Sequence, residues 1–356
     1  MVDYKLLRLR AKFRDFYNKN LIEDYRELEI KRRKYLKVLV VLIVASVTVL
    51  SIIFNLLKLN GEMSEFEGKF FSFLCLIAVA LTSLPSLLLK SAAQNTVMNK
   101  IISFFGDMEY GKNRIYDKDI EASDLIGSYT GCSIDDAFCG KYNGVDIKVS
   151  EQTLTRHTGK RSVTVFNGVF VLLDFDKKFS GKTLVMDKGR FSLFDKCFIT
   201  VFTMLMILMP VFLDIYEQSY WRTFICIFYI IIPGLFFYVK HKKTNKDEVK
   251  LEDVVFSKNW GILATDQIEA RYLLTTAFMD RMLEVKKRFK GKSIEFSFFD
   301  NKLLIAIHTY KDMFETTSLF RSVLSYHNIQ NVVYQFYSIF SIIDLLKIKG
   351  KENEKN

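Results

Sequence analysis

Two uninterrupted apolar runs of membrane-spanning length constrain this chain more than any other feature. Residues 38–57 (VLVVLIVASVTVLSIIFNLL) and 70–89 (FFSFLCLIAVALTSLPSLLL) contain no charged side chain, and a lysine closes each end of each run. A transmembrane helix needs about 20 mainly apolar residues, and its backbone must satisfy its own hydrogen bonds within the bilayer. The sequence therefore predicts a first transmembrane hairpin over residues 38–89.

Two shorter apolar runs, 197–213 and 223–239, predict a second hairpin inserted over residues 196–240. Both runs lie at the low end of the spanning range of roughly 17–25 residues, so a re-entrant or interfacial hairpin stays open as the alternative. All three prolines, Pro85, Pro210 and Pro233, lie inside apolar runs. Because the four runs contain no ionisable Asp, Glu, Lys, Arg or His, tolerated kinks are favoured over a transport site.

The placement of basic residues predicts the orientation of the four spans. Lys plus Arg outnumber Asp plus Glu by 51 to 40, and the excess collects at residues 1–37 and at the membrane edges near 90, 196 and 240–243. The loops at 58–69 and 214–222 are acidic instead. The positive-inside rule then places both termini and the middle segment in the cytoplasm. Since this rule already accounts for the charge, no nucleic-acid partner is expected.

The basic N-terminal region, residues 1–37, has apolar side chains at helical spacing and predicts an amphipathic cytoplasmic helix that runs into the first span. Its apolar face can pack on the protein's own domain, or the helix can lie on a bilayer with anionic headgroups. Candidate lipid contacts are the basic residues at the membrane edges: Lys31, Arg32, Arg33, Lys34, Lys240, Lys242 and Lys243.

The remaining segments, 90–195 and 245–350, predict the two halves of one split cytoplasmic α+β domain with an antiparallel sheet, followed by a disordered tail at 351–356. Strands rich in Val, Ile, Phe and Thr are expected at 129–136, 143–152, 162–175, 182–186 and 253–264. Helices are expected at 91–105, from Asp266 to about Phe289 with Glu269 completing a capping box, and at 319–348. The dipeptide Asp300-Asn301 predicts a hairpin turn.

The stretch FSGKTLVM, residues 179–186, carries the Gly-Lys-Thr triplet that closes a phosphate-binding P-loop. The first glycine of that motif would fall at Asp176, and a β-like segment follows where a helix is required. The stretch is therefore interpreted as a hairpin turn, and Asp135 and Asp136 as turn residues. No cofactor, metal cluster or catalytic constellation is predicted, because the histidines and cysteines are scattered.

Four segments in order resemble the bacterial membrane-protein family of the domain of unknown function 3137. They are YNGVDIKVSE (142–151), GKRSVTVFNGVFVLLDFDKKFSGKTLVM (159–186), WGILATDQIEARYLLTTAFMDRML (260–283) and SIEFSFFDNKLLIAI (293–307). The resemblance extends over roughly residues 35–346 and implies a cytoplasmic α+β region anchored in the bacterial inner (plasma) membrane. The resemblance implies no catalytic or binding residue in this chain. Because similar sequences commonly have a soluble linker between the second and third segments, it also implies that the 196–240 hairpin is an insertion.

The function expected from these features is a membrane-anchored binding or scaffolding module without catalytic activity, with a protein partner at the cytoplasmic face. A small channel or transporter built on the four spans is the alternative. A third hypothesis is an enzyme acting on a membrane or envelope component through Glu151, Asp174 and Asp176, which are expected near a sheet edge.

Overall fold

The computed structural model describes residues 4–59, 64–111, 115–159, 161–174, 178–188, 247–290, 292–309 and 312–346. The second apolar hairpin expected at 196–240 and the tail at 351–356 lie outside the described residues. Within them the fold is α+β, and an antiparallel sheet is present as predicted.

The helices are α1 (Tyr4–Asn20), α2 (Ile22–Leu59), α3 (Glu65–Ala93), α4 (Asn99–Ser103), α5 (Asp117–Ser123), α6 (Val254–Asn259), α7 (Gln267–Leu273), α8 (Thr276–Arg288) and α9 (Tyr326–Leu346), with a π-helical turn at Gln94–Met98. The strands are β1 (Asp107–Tyr110), β2 (Gly131–Tyr142), β3 (Val145–Thr158), β4 (Arg161–Asp174), β5 (Thr183–Asp187), β6 (Asp247–Glu248), β7 (Trp260–Ala264), β8 (Ile294–Phe299) and β9 (Lys302–His308). They form one sheet in the order β1-β2-β3-β4-β9-β8-β5-β7-β6.

The chain divides into two compact units. The helical unit comprises Met1–Asn113, Asp136–Tyr142 and Lys311–Phe340, and the sheet unit comprises Arg114–Asp135, Asn143–Tyr310 and Ser341–Asn356.

Helices α2 and α3 of the helical unit are long and apolar enough to cross a membrane, judged by length and composition. They pair as a hairpin: the rings of Phe54 and Phe71 lie 5.8 Å apart near one end, and Leu39 and Leu89 pack together near the other. Most of their apolar side chains are exposed. That exposure is typical of helices whose partner is lipid, since a soluble protein rarely leaves so large an apolar surface open.

The N-terminal region expected as one amphipathic helix forms two. Helix α1 ends at Asn20, and α2 then continues without interruption from Ile22 through the first apolar run. The apolar face is buried, with Phe13 in edge-to-face contact with Phe104 at 5.1 Å and with Tyr25 and Leu28 inaccessible to solvent. In the helical unit this face therefore packs on the protein itself.

An aromatic cluster holds the C-terminal part of the helical unit. Phe314 has a positive φ of 62°, and its ring stacks on Phe336 at 4.6 Å and meets Phe138 edge-to-face at 5.6 Å. The Phe314 N–H donates to Gln335 Oε1 at 2.7 Å. A bulky residue in the left-handed region costs about 1–3 kcal/mol, so this conformation persists because the surrounding contacts determine it.

The sheet unit is built from hairpins that the turn residues specify. Asn143 and Gly144 connect β2 to β3 with φ values of 50° and 81°, as a type I′ turn requires. Asp300 has φ 51° in the two-residue connection of β8 to β9, where Phe299 pairs with Lys302. The hairpin turn predicted at Asp300-Asn301 is therefore confirmed.

One face of this sheet carries a buried apolar cluster. It joins Phe166 and Phe170 of β4 and Leu304 of β9 with Ile120 of α5. Ser297 Oγ donates to the Ser123 carbonyl at 2.6 Å, which ties β8 to the end of α5. Neither α5 nor β1 is marked by a long apolar pattern, and both are absent from the sequence prediction.

Three sequence predictions differ from the structure, two of them because a side chain caps a helix locally. Residues 254–259 form α6 instead of a strand, because the Asp253 carboxylate accepts the Phe256 N–H at 2.8 Å as an N-cap. The helix expected from Asp266 to Phe289 breaks between Leu273 and Thr276, since the Thr275 hydroxyl caps α8 through the Phe278 N–H. Asp135 and Asp136 lie within β2 and not at a turn.

Candidate functional site

Glu151 and Asp174, the two described carboxylates of the enzyme hypothesis, are not brought together in the sheet unit. Glu151 of β3 lies opposite Val169, whereas Asp174 lies at the far end of β4, opposite Lys302. Five residues along a strand correspond to about 17 Å. Asp176 lies outside the described residues. Glu151 and Asp174 are therefore too far apart to act as a catalytic pair.

The stretch FSGKTLVM does not form the predicted hairpin turn, because β4 pairs with β3 and β9 whereas β5 pairs with β7 and β8. It forms a turn that leads into β5, and the backbone donors of this turn are already occupied. The N–H groups of Ser180 and Gly181 donate to the two carboxylate oxygens of Glu269 at 2.9 and 2.6 Å, and the Lys182 N–H donates to Thr265 Oγ1 at 2.8 Å. Successive N–H groups of this kind form an anion-binding nest. In this protein the anion is its own side chain. Glu269 therefore does not complete the capping box predicted with Asp266, whose carboxylate alone caps α7.

We expect Glu269→Ala to lower the free energy of unfolding by about 2 kcal/mol, because two backbone donors lose a charged acceptor. The control is Glu284→Ala on α8, an exposed glutamate, which should change stability by less than about 0.5 kcal/mol. Thermal or urea unfolding of the detergent-solubilised chain measures both. Magnesium ATP should leave the unfolding midpoint of the wild type unchanged, and a clear rise would show that the turn binds a nucleotide.

The basic residues predicted to contact lipid have two different environments. Lys31, Arg33 and Lys34 are exposed on α2, just before the first apolar run. Arg32 is buried and its guanidinium bonds within the protein. Lys240, Lys242 and Lys243 lie outside the described residues. Lys31 and Lys34 are thus open to solvent or lipid, Arg33 is exposed but donates from Nε to Glu29 Oε1 at 3.1 Å, and Arg32 has a structural contact.

Arg32 belongs to a buried ion pair that we call the α2 clamp, formed by Glu29 and Arg32. Arg32 Nε and Nη2 donate to the two Glu29 oxygens at 2.9 and 2.7 Å, the bidentate geometry of a strong pair. Arg32 Nη1 donates to the Leu319 carbonyl at 2.9 Å. Glu29 Oε2 accepts the Val323 N–H at 3.1 Å and Ser322 Oγ at 3.2 Å. The clamp thus fastens a distant segment to the helix that enters the first apolar run.

The electrostatics of the α2 clamp follow from this geometry. The Arg32 hydrogen bonds, opposed by burial and aided by Arg33 and the Val323 N–H, lower the pKa of Glu29 from its ordinary value of 4.5 to about 2. The same hydrogen bond to Glu29 raises the pKa of Arg32. Glu29 is consequently ionised at any physiological pH, and its carboxylate oxygens accept hydrogen bonds from groups within the protein.

The fastened segment, residues 315–325, is called here the boundary segment. It lines a cavity of about 480 Å³ together with one residue of α9; the lining residues are Glu315, Thr316, Thr317, Ser318, Phe320, Arg321 and Asn331. Cavities of roughly 300–1,000 Å³ are typical of small-molecule sites. Thr316 and Thr317 are buried, whereas Arg321 and Phe320 are exposed.

This cavity is the candidate functional site, and the sequence interpretation missed it. Residues 319–325 were expected to begin the last helix, but α9 starts at Tyr326 because the α2 clamp binds backbone groups of the preceding residues. The available signal was the segment ETTSLFRS, in which three hydroxyl residues precede a Phe-Arg pair. Nothing in the sequence of that segment indicates that it contacts Glu29, because Glu29 is 293 positions from Ser322 and 294 from Val323.

Comparisons with known proteins place the chain in a family. No curated protein matches it. Among solved structures it is similar to the crystal structure of the mycobacterial trehalose monomycolate transport factor A, TtfA, at 8% identity and a TM-score of 0.29, over 68% of this chain and 91% of that chain. A likeness at that TM-score carries no weight for fold or function. Because the profile of the family described as protein of unknown function (DUF3137) matches residues 164–348, more than half of the 356 residues, the chain belongs to that family.

Proposed function

We propose that this protein is a membrane-anchored binding module without catalytic activity, with both termini and the folded region at the cytoplasmic face of a bacterial inner membrane. The observation that carries the proposal is the α2 clamp. The helix that forms the first apolar run is joined at its basic end to the boundary segment by three hydrogen bonds, which the buried Glu29–Arg32 pair of that helix makes to Leu319, Ser322 and Val323. An anchor built into the folded region in this way holds a binding surface at a fixed distance from the bilayer.

The charge distribution supports the same placement. Lys31, Arg33 and Lys34 are exposed on α2 within about two turns of the start of the apolar run, where each basic side chain gains roughly 1 kcal/mol from an anionic leaflet. Lys240, Lys242 and Lys243 are proposed to make the equivalent contacts at the end of the second hairpin, residues 196–240, which is proposed as a second anchor. The protein would thereby be a four-span, multi-pass protein.

A fractionation and topology experiment tests the anchoring. The full chain should stay in the membrane pellet after alkaline carbonate extraction. A reporter that functions only in the cytoplasm should be active when it is fused after Asn356. Recovery of the chain in the soluble fraction, or a reporter that is active only outside, would overturn the proposal.

A second experiment separates a binding module from a channel or transporter. The purified chain reconstituted in liposomes should give no flux of ions or small solutes above that of empty liposomes. In parallel, cross-linking in intact cells should give the same protein partner at the cytoplasmic face in repeated experiments. Reproducible flux together with the absence of any reproducible partner would favour the transporter.

A further inference from the structure

We propose that the cavity of the boundary segment binds the phosphodiester of a membrane phospholipid headgroup. The inference rests on the membrane anchoring proposed above and goes further, because it assigns a ligand class and the residues that hold it. Arg321, Thr316 and Thr317 are the groups that bind the phosphate, and Phe320 contacts the acyl chains.

The depth of the cavity relative to the apolar helices is the first argument. Leu319 packs with Leu39 and Leu89 in one buried cluster. Leu39 is the second residue of the first apolar run, and Leu89 is the last residue of the second run. Leu319 is therefore level with the boundary of the hydrocarbon layer. The next side chain, Phe320, is 77% exposed, at the depth where aromatic rings prefer the interface.

The chemistry of the lining is the second argument. The planar fork of Arg321 matches a phosphate bidentately, and Ser318 and Asn331 add further hydrogen-bonding groups. Thr316 and Thr317 also line the cavity, and at 5% and 8% exposed they are held within the fold, so that each can donate a hydroxyl hydrogen bond to a phosphate oxygen.

The acidic residue of the lining, Glu315, limits the charge that the bound ligand can carry. Glu315 contributes a carboxylate to the same cavity, which disfavours a free phosphate carrying nearly two negative charges. A diester carries one charge, and a hydroxyl or ammonium group on its headgroup can donate to Glu315. The exposed Phe320 ring also gains a contact only when the phosphate is attached to acyl chains. A lipid headgroup therefore fits better than a soluble phosphate.

The segment is fixed in place before any ligand binds. Arg32 holds the Leu319 carbonyl on one side of Phe320 and Arg321, and Glu29 holds the Val323 N–H on the other side. Phe314, with its positive φ, precedes the segment, and backbone strain of this kind clusters at ligand-binding sites. A site that is ordered in advance loses less conformational entropy on binding.

The test is a lipid-binding measurement on the full chain, purified and delipidated in detergent, with phosphatidylglycerol as the added probe and native mass spectrometry as the readout. Arg321→Gln should weaken binding about tenfold, because it removes a charge-assisted contact. The isosteric double variant Thr316→Val with Thr317→Val should weaken it about fivefold or more through lost hydrogen bonds. Arg321→Lys should lie between Arg321→Gln and the wild type.

Two controls separate the site from general attraction. Lys12→Gln removes one exposed positive charge of α1 without touching the cavity or the proposed lipid contacts of α2, and it should change the affinity by less than about twofold. Glycerol 3-phosphate and inorganic phosphate should bind at least tenfold more weakly than the lipid. All variants should match the wild type in membrane recovery and unfolding midpoint.

Three results would overturn the inference. Equal lipid binding by the wild type, Arg321→Gln and the double variant would remove the cavity as the site. An equal loss in Lys12→Gln and Arg321→Gln would indicate general charge attraction instead. Glycerol 3-phosphate binding as tightly as the lipid would assign the cavity to a soluble ligand. Failure of the membrane anchoring itself appears separately, as wild-type protein in the soluble fraction.

Discussion

Replacing Glu29 with glutamine is expected to lower the free energy of unfolding of the helical unit by about 3–5 kcal/mol, because it leaves the Arg32 charge buried without its counter-charge. Glu29 and Arg32 side chains are 5% and 11% exposed, so water cannot replace the lost partner. Glutamine also loses one of the two oxygens that Arg32, Ser322 and Val323 share. The boundary segment should then detach from α2.

Chemical unfolding of the full chain in detergent measures the loss of stability, and hydrogen exchange at the Val323 amide reports the local opening. Glu23→Gln is the matched control, because Glu23 forms an ion pair with Arg26 at the same i,i+3 spacing on the same helix, but with both side chains exposed. Its cost should stay below about 1 kcal/mol. Equal stability of Glu29→Gln and the wild type would show that the α2 clamp does not hold the segment.

The pH dependence of the same site has a defined sign. Since the pKa of Glu29 is lowered from 4.5 to about 2 in the folded protein, its stabilisation is complete above pH 4.5 and is lost as the pH falls towards 2. By pH 3 the loss is about 2 kcal/mol relative to neutral pH. Other carboxylates titrate in the same range, so the difference between wild type and Glu29→Gln isolates this group. That difference should shrink on acidification; a constant difference from pH 7 to pH 3 would contradict the lowered pKa.

The elements that the sequence predicted correctly are those whose pattern is local. The two long apolar helices follow from composition and length alone, and the β8–β9 hairpin follows from alternation around Asp300-Asn301. The strand at 161–174 matches the predicted run 162–175 within one residue at each end, whereas the strand at 145–158 continues past the predicted end at 152 because β3 pairs with β4 along nearly its whole length. In each case the information lies within about 20 residues of sequence.

The candidate site could not be predicted because its residues meet only in the folded chain. Arg32 reads as one of four basic residues in KRRK, and a lipid contact is the natural interpretation of such a run. Its burial depends on Glu29 three positions earlier and on Leu319 at a separation of 287 residues. In the same way, Glu269 has the right spacing for a capping box with Asp266, but the turn at Ser180 and Gly181 offers two unpaired N–H groups and takes the carboxylate instead.

The largest effect in the sheet unit is expected from Gly168→Ala, a change of a single methyl group in β4. Gly168 lies opposite His308 of β9, and an added Cβ would meet the backbone oxygen of Ile307 well inside van der Waals contact and the Thr309 nitrogen at 2.9 Å. Backbone atoms in the middle of a sheet cannot rotate away as a side chain can. We expect the β4–β9 pairing to separate locally, with a loss of at least about 3 kcal/mol.

The matched control is Gly261→Ala in β7 of the same sheet, where the added Cβ would meet only the flexible Lys188 side chain at 3.7 Å. That variant should keep or slightly raise stability, by up to about 1 kcal/mol, because glycine in a strand costs conformational entropy. Urea unfolding and hydrogen exchange across β4 and β9 compare the two. If Gly168→Ala unfolds at the same urea concentration as Gly261→Ala, the β9 backbone does not lie close enough to Gly168 to exclude a methyl group. If it alone is destabilised while membrane recovery and lipid retention persist, the anchor and the cavity of the helical unit act independently of the stability of the sheet.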